Sequence, residues 1–238
     1  MRLHPHRAGL AAVIASSLLA GCALFAPEPA PPPTAPVAAP ADFPEAYYRQ
    51  AAVEGKPVFR VDPAASLVVI EVRRSGSLSR LGHDHVVASH HVGGYVAPEE
   101  GRADLYVPLT HLAVDEDKLR AESGFDTHPT ESDIAGTRAN MLEKVLEADK
   151  FPFALIRVSG AGKGGGDISV ALTLHGQTRT LQVPAQIDAD GKRVNVSGKL
   201  TFNQTDFGIT PFSLFGGALA VRDAVDLRFH IQAVPGVR

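Results

Sequence analysis

The chain of 238 residues has a single cysteine, Cys22, and no tryptophan. One thiol excludes an internal disulfide framework, so whatever folds here must rest on an apolar core. There is no excess of positive charge: the formal net charge is −3. That balance argues against nucleic acid, whose binding needs concentrated basic charge, and shows no basic stretch for anionic membranes. No apolar run is long enough to cross a bilayer, which takes roughly 20 residues. Catalytic signatures are also missing. There is no GxSxG elbow, no HExxH and no glycine-rich phosphate loop leading into a helix. The glycines from Gly162 to Gly166 read as a hairpin, because strand-like residues follow them.

The N-terminus has the plan of an export signal. Arg2 and Arg7 precede an apolar stretch from Ala8 to Leu19, which meets Leu19-Ala20-Gly21-Cys22. These residues resemble the lipobox of bacterial lipoproteins, which implies removal of residues 1–21 and acylation of Cys22 as the lipid anchor. Ala23, rather than an aspartate, then implies an outer-membrane lipoprotein facing the periplasm, in the cell envelope. Cleavage removes two arginines and no acid, moving the net charge from −3 to −5. From Pro27 to Pro44 alanine and proline dominate, so residues 22–57 are expected to be the acylated cysteine and an extended tether. Within it, Glu45 to Val53 could form a short helix packed through Tyr47 and Tyr48.

Beyond Val58 the pattern turns to period two, the mark of half-buried strands. Ile168, Val170, Leu172 and Leu174 alternate with small or polar residues, as do Leu181, Val183, Ala185 and Ile187. Val225, Leu227, Phe229 and Ile231 do the same, with turn signals such as His175-Gly176 and Asp190-Gly191 between the runs. Many short-linked strands predict an all-β antiparallel barrel or sandwich over residues 58–238. One segment departs from this. Thr130 and Asp133 form a capping box, and Ile134, Met141, Leu142, Val145 and Leu146 recur at helical spacing. A helix over about Glu131–Glu147 is expected, covering an open end of the barrel.

Several motifs resemble the YceI family of lipid-binding, lipocalin-like proteins. They are Phe59-Arg60-Val61-Asp62 with Ser66, Lys150-Phe151-Pro152-Phe153, Leu172-Thr173-Leu174-His175-Gly176-Gln177-Thr178, and Thr201-Phe202-Asn203-Gln204-Thr205-Asp206-Phe207-Gly208-Ile209. Gln204 stands where the family usually has arginine, and the region near His83 lacks its usual aromatic pattern. The resemblance implies an antiparallel eight-stranded lipocalin-like barrel with one helix between strands. It also implies a tunnel for an apolar isoprenoid-type lipid, polyprenyl or quinone, held by a carrier or sequestering protein that is not an enzyme. Phe151, Phe153, Phe202, Phe207, Phe212, Leu214 and Phe215 are candidate lining residues, although ordinary core packing would suit each of them. Pro211 to Gly217 reads as a loop at a barrel mouth.

Four of the ten histidines fall in one segment, at His83, His85, His90 and His91. On a strand His83 and His85 share a face, where they could contact a polar head group. They could also bind metal, if His175, His111 or Asp104 supplied a third ligand. A structural role in a turn is equally open. The competing functions are therefore a metal- or haem-associated envelope protein and a ligand-free interaction module. The partners this reading admits are the lipid, the membrane through acylation, and a homodimer, with no nucleic acid.

Overall fold

A computed structural model of the chain describes residues 37–160 and 166–236. The expected signal peptide, residues 1–21, and Cys22 lie outside them.

Eight antiparallel strands close into a barrel. In chain order they are β1 (Phe59–Val61 continued by Leu67–Val72), β2 (His85–Ser89 continued by Gly93–Ala97), β3 (Arg102–Pro108) and β4 (Phe153–Ser159). They continue with β5 (Gly166–Leu174), β6 (Gln177–Ala189), β7 (Val194–Asn203) and β8 (Ala224–Pro235). Each strand pairs with the next, and β8 returns to β1 through Val61↔Ala233 and Leu227↔Ile70. Closure removes the free edges that would otherwise template association.

The broken strands have local causes. Pro63 opens a single 3-10 turn, with the Asp62 side chain accepting from the Ala64 N–H. Ser66, which is buried, stitches the gap: its hydroxyl donates to the Asp62 carbonyl at 2.7 Å and accepts from the Gln232 N–H at 3.0 Å. At Gly198 the barrel wall bends over the Phe229 ring. A Cβ at that position would stand 2.7 Å from the ring and 2.6 Å from the Pro184 carbonyl oxygen.

Among the described residues, three α-helices sit outside the barrel. α1 (Glu45–Val53) lies on the outer face of β2 and β3, burying Tyr48 and Ala51 against Val58 and Ala97. α2 (Asp117–Glu122) covers Val69, Val86 and Ala88 with Leu119. Those strand segments are thus buried on both faces, which explains the unbroken apolar run Leu67–Ile70. α3 spans Glu131–Asn140 behind the Thr130–Asp133 capping box and continues as a π-helical turn, Met141–Val145. Regular helix therefore stops short of the expected Glu147. The apolar stripe still packs across one end of the barrel, with Ile134, Met141, Leu142 and Leu146 on Leu109, Leu112 and Val114.

Candidate functional site

The inward side chains do not fill the barrel. They enclose a cavity of about 430 Å³, within the roughly 300–1,000 Å³ usual for small-molecule sites. The pleat decides its wall, because alternate residues of each strand face inward. β5 contributes Val170, Leu172 and Leu174, β7 contributes Leu200 and Phe202, and β8 contributes Leu227 and Phe229. Among the described residues, Ser89, Glu99 and Arg102 are the lining residues with polar side chains. One end is sealed by Leu109, Leu112 and Leu146 beneath α3. At the other end the exposed residues Glu99, Ala189 and Gly191 join the lining and mark the mouth.

At the mouth Glu99 has no ion-pair partner among the described residues, whereas Arg102 is engaged. Arg102 donates through Nε to Asp104 at 2.8 Å and lies 3.8 Å over the Tyr47 ring. Asp104 also accepts from the Tyr48 hydroxyl and from Arg157, each at 2.8 Å. Burial works to raise the Asp104 carboxyl, but Arg157, Arg102 and Tyr48 together hold it below the ordinary carboxylate range. Desolvation and the Asp104 carboxylate push the Tyr48 hydroxyl in the opposite direction, well above the usual tyrosine value. The network fastens α1 to the barrel wall and engages the Arg102 charge outside the cavity.

The candidate aromatic residues are placed as follows. Phe202 lines the cavity, and Phe207, fully buried, meets it edge-on with centroids 5.4 Å apart. Phe151 packs on His175 at the β5–β6 turn, with centroids 4.6 Å apart. Phe153 sits against Tyr106, with centroids 6.0 Å apart. Phe212 is half-buried, and its carbonyl accepts from the Val221 N–H. Leu214 and Phe215 are exposed in a lobe beside the α3-capped end, away from the mouth. Cavity residues outside that set, such as Phe59, Ile70 and Phe229, belong to the inward series of their strands. Alternation was the signal that pointed to them.

The four histidines divide into two places. His85 Nδ1 meets Asp115 Oδ2 at 2.6 Å, and Asp115 takes the Val86 N–H at 2.9 Å and Arg120 Nη1 at 2.5 Å. Burial works to raise the Asp115 carboxyl, but His85, the Val86 N–H and Arg120 hold it below the usual range. The His83 ring lies 6.1 Å from that of His85, with its Nε2 3.8 Å from Asp133 on α3 and its buried Nδ1 unbonded. His90 bonds Glu116 at 2.8 Å, and His91 packs on His111 with centroids 5.0 Å apart. Burial, then the neighbouring His111 and His90, lowers the His91 pKa. Of the third ligands considered, His175 is engaged with Glu147 and Asp104 with Tyr48, while His111 meets only His91. Among the described residues no group of three or more His, Cys, Asp or Glu is placed to hold a metal ion. This arrangement disfavours the metal alternative: carboxylates and packing divide the four side chains between separate places.

A family model described as the YceI-like domain matches residues 59–233. Among solved structures, the chain is similar to a polyisoprenoid binding domain from Saccharophagus degradans implicated in plant cell wall breakdown. The TM-score is 0.55 at 16% identity, over 76% of this chain and 100% of that one. It is also similar to Burkholderia cenocepacia BcnA, with a TM-score of 0.50 at 18% identity, over 73% of this chain and 99% of that one. At these identities the likeness shows the fold. Comparison with curated proteins finds no match.

Proposed function

Because the chain belongs to the YceI-like domain family, we propose that its barrel binds one apolar lipid, of isoprenoid type, as a carrier or sequestering protein in the bacterial periplasm. The carrying observation is the cavity of about 430 Å³, closed at one end and walled almost wholly by carbon. Burial contributes about 0.8 kcal/mol per methylene, and the one buried hydroxyl in the described lining, Ser89, already accepts from the His91 N–H. A polyprenyl tail longer than the cavity would protrude from the mouth. The Arg102 charge is tied to Asp104, which Arg157 shares, and the carboxylate of Glu99 stands at the mouth with no ion-pair partner among the described residues. This favours an uncharged head, a prenol or a quinone, over a diphosphate. The reading is of binding, without a covalent step.

We further propose that Cys22 is acylated and that the Ala/Pro-rich tether holds the barrel near the outer membrane. Organic extraction of the protein purified from its native host, followed by mass spectrometry, tests the first proposal. A neutral isoprenoid in near-stoichiometric amount is expected. Recovery of no lipid, together with no uptake of prenols or quinones, would overturn it. Labelling with a radioactive fatty acid, lost in Cys22→Ala, tests the anchor.

A further inference from the structure

Two segments far apart in sequence build a lobe beside the α3-capped end. Arg74–Ser75 pairs with Leu219–Val221, which pairs in turn with Ser213–Leu214. The Leu78 N–H donates to the Ala218 carbonyl at 2.7 Å, and the Arg222 N–H donates to the Arg73 carbonyl at 2.8 Å. The contact is close enough that a Cβ on Gly76 would run into the backbone of Ala218.

The lobe combines three properties. It is apolar outside: Leu81, Leu214 and Phe215 are 67%, 44% and 77% exposed, three of the five exposed large hydrophobics among the described residues. It is basic: residues 73–82 and 209–222 contain Arg73, Arg74, Arg80 and Arg222 and no acidic residue, in a chain of net charge −3. Arg73 pairs with Glu71 and Arg74 with Asp84 and Asp126, but Arg80 and Arg222, both exposed, form no ion pair among the described residues. Its tip is also held in an unusual conformation. Phe215, Gly216 and Gly217 have φ of 52°, 64° and 91°. A bulky side chain in the left-handed region costs free energy, and here the strain holds an aromatic ring out in solvent.

We propose that this lobe docks on an anionic lipid surface, with Phe215, Leu214 and Leu81 entering the headgroup region and Arg80 and Arg222 meeting lipid phosphates. Apolar side chains ringed by arginine are what an interfacial site requires, since both burial and charge attraction then contribute. A second copy on the same patch would set arginine against arginine, whereas anionic headgroups neutralise it. Docked this way, the mouth points away from the bilayer. The proposal is independent of what the cavity holds.

The absence of tryptophan makes the test direct. In the full chain, Phe215→Trp introduces a single emitter at the tip, which reports on the lobe whatever the N-terminus does. Vesicles containing phosphatidylglycerol should shift its emission to the blue, and brominated acyl chains should quench it. Phosphatidylcholine vesicles should give little of either effect. Arg80→Gln and Arg222→Gln should each weaken partitioning about fivefold, which corresponds to about 1 kcal/mol per basic residue at an anionic surface. An unmoved emission spectrum in a variant whose circular dichroism matches the parent would overturn the proposal. Equal binding to both vesicle types would overturn it too. So would a blue shift that grows with protein concentration without vesicles, which would assign the lobe to self-association.

Discussion

His85 Nδ1 lies 2.6 Å from Oδ2 of Asp115, whose side chain has no solvent exposure. The other carboxylate oxygen takes Arg120 from α2, and Arg120 Nη1 also donates to the Asp84 carbonyl at 2.6 Å. The histidine segment is thus part of a buried charge network that ties α2 to β2. Such a network is satisfied only while every partner is present.

Asp115→Asn should therefore destabilise the fold by about 3 kcal/mol or more, because it leaves Arg120 as an uncompensated buried charge. A lower midpoint in urea denaturation would register it.

The same carboxylate sets an acid dependence. Its folded pKa lies below the ordinary aspartate range, so the folded state binds fewer protons than the unfolded state where aspartates titrate. The stabilisation is complete above the unfolded pKa and is lost as pH falls through the folded one. Unfolding free energy of the parent should fall steeply below about pH 4, where carboxylates of this kind titrate. In Asp115→Asn the same plot should be flatter.

Tyr48→Phe should cost about 1.5–3 kcal/mol, the range for a hydrogen bond to a charged group, since Tyr48 donates to Asp104 while fully buried. The loss should be local first. Amide exchange in Glu45–Val53 should accelerate before exchange in β5 or β6 does.

Cavity length should act as a ruler. Across a series of straight-chain alcohols, affinity should rise about fourfold per added methylene, from about 0.8 kcal/mol each, and level off once the tail fills the cavity. Leu146→Ala, at the sealed end, should move the plateau to longer chains. A plateau that ignores Leu146 would place the tail elsewhere.

Filling the cavity separates ligand space from packing. Leu172→Phe points into the void from β5, so the added ring should enter empty space and leave stability within about 1 kcal/mol of the parent. Lipid binding should drop at least about tenfold, as read by displacement of a fluorescent fatty acid. A large loss of stability with binding unchanged would mean that the barrel is filled.

Much of the architecture was legible because it follows from local periodicity. The alternating series in β5, β6 and β8 reads as inward-facing residues, and nearly all of those residues line the cavity. The capping box at Thr130 and Asp133 starts α3 as its chemistry requires. Aromatic content was a weaker guide to the lining. Phe151 and Phe153 pack on side chains at the end and side of the barrel, and Phe215 faces solvent, because size and hydrophobicity do not say on which side of a strand or turn a ring falls.

The sequence alone determined the strands, the capped helix and the absence of a disulfide framework, since each depends on neighbours a few residues apart. Whether the barrel is hollow was decided by the tertiary structure, because a void depends on how eight strands tilt and close around one another. Tertiary pairing also sent His85 to Asp115 and His90 to Glu116. It joined two arginine-bearing segments into one apolar, basic lobe. Net charge sums over the chain and cannot report a patch that exists only once distant residues are brought side by side.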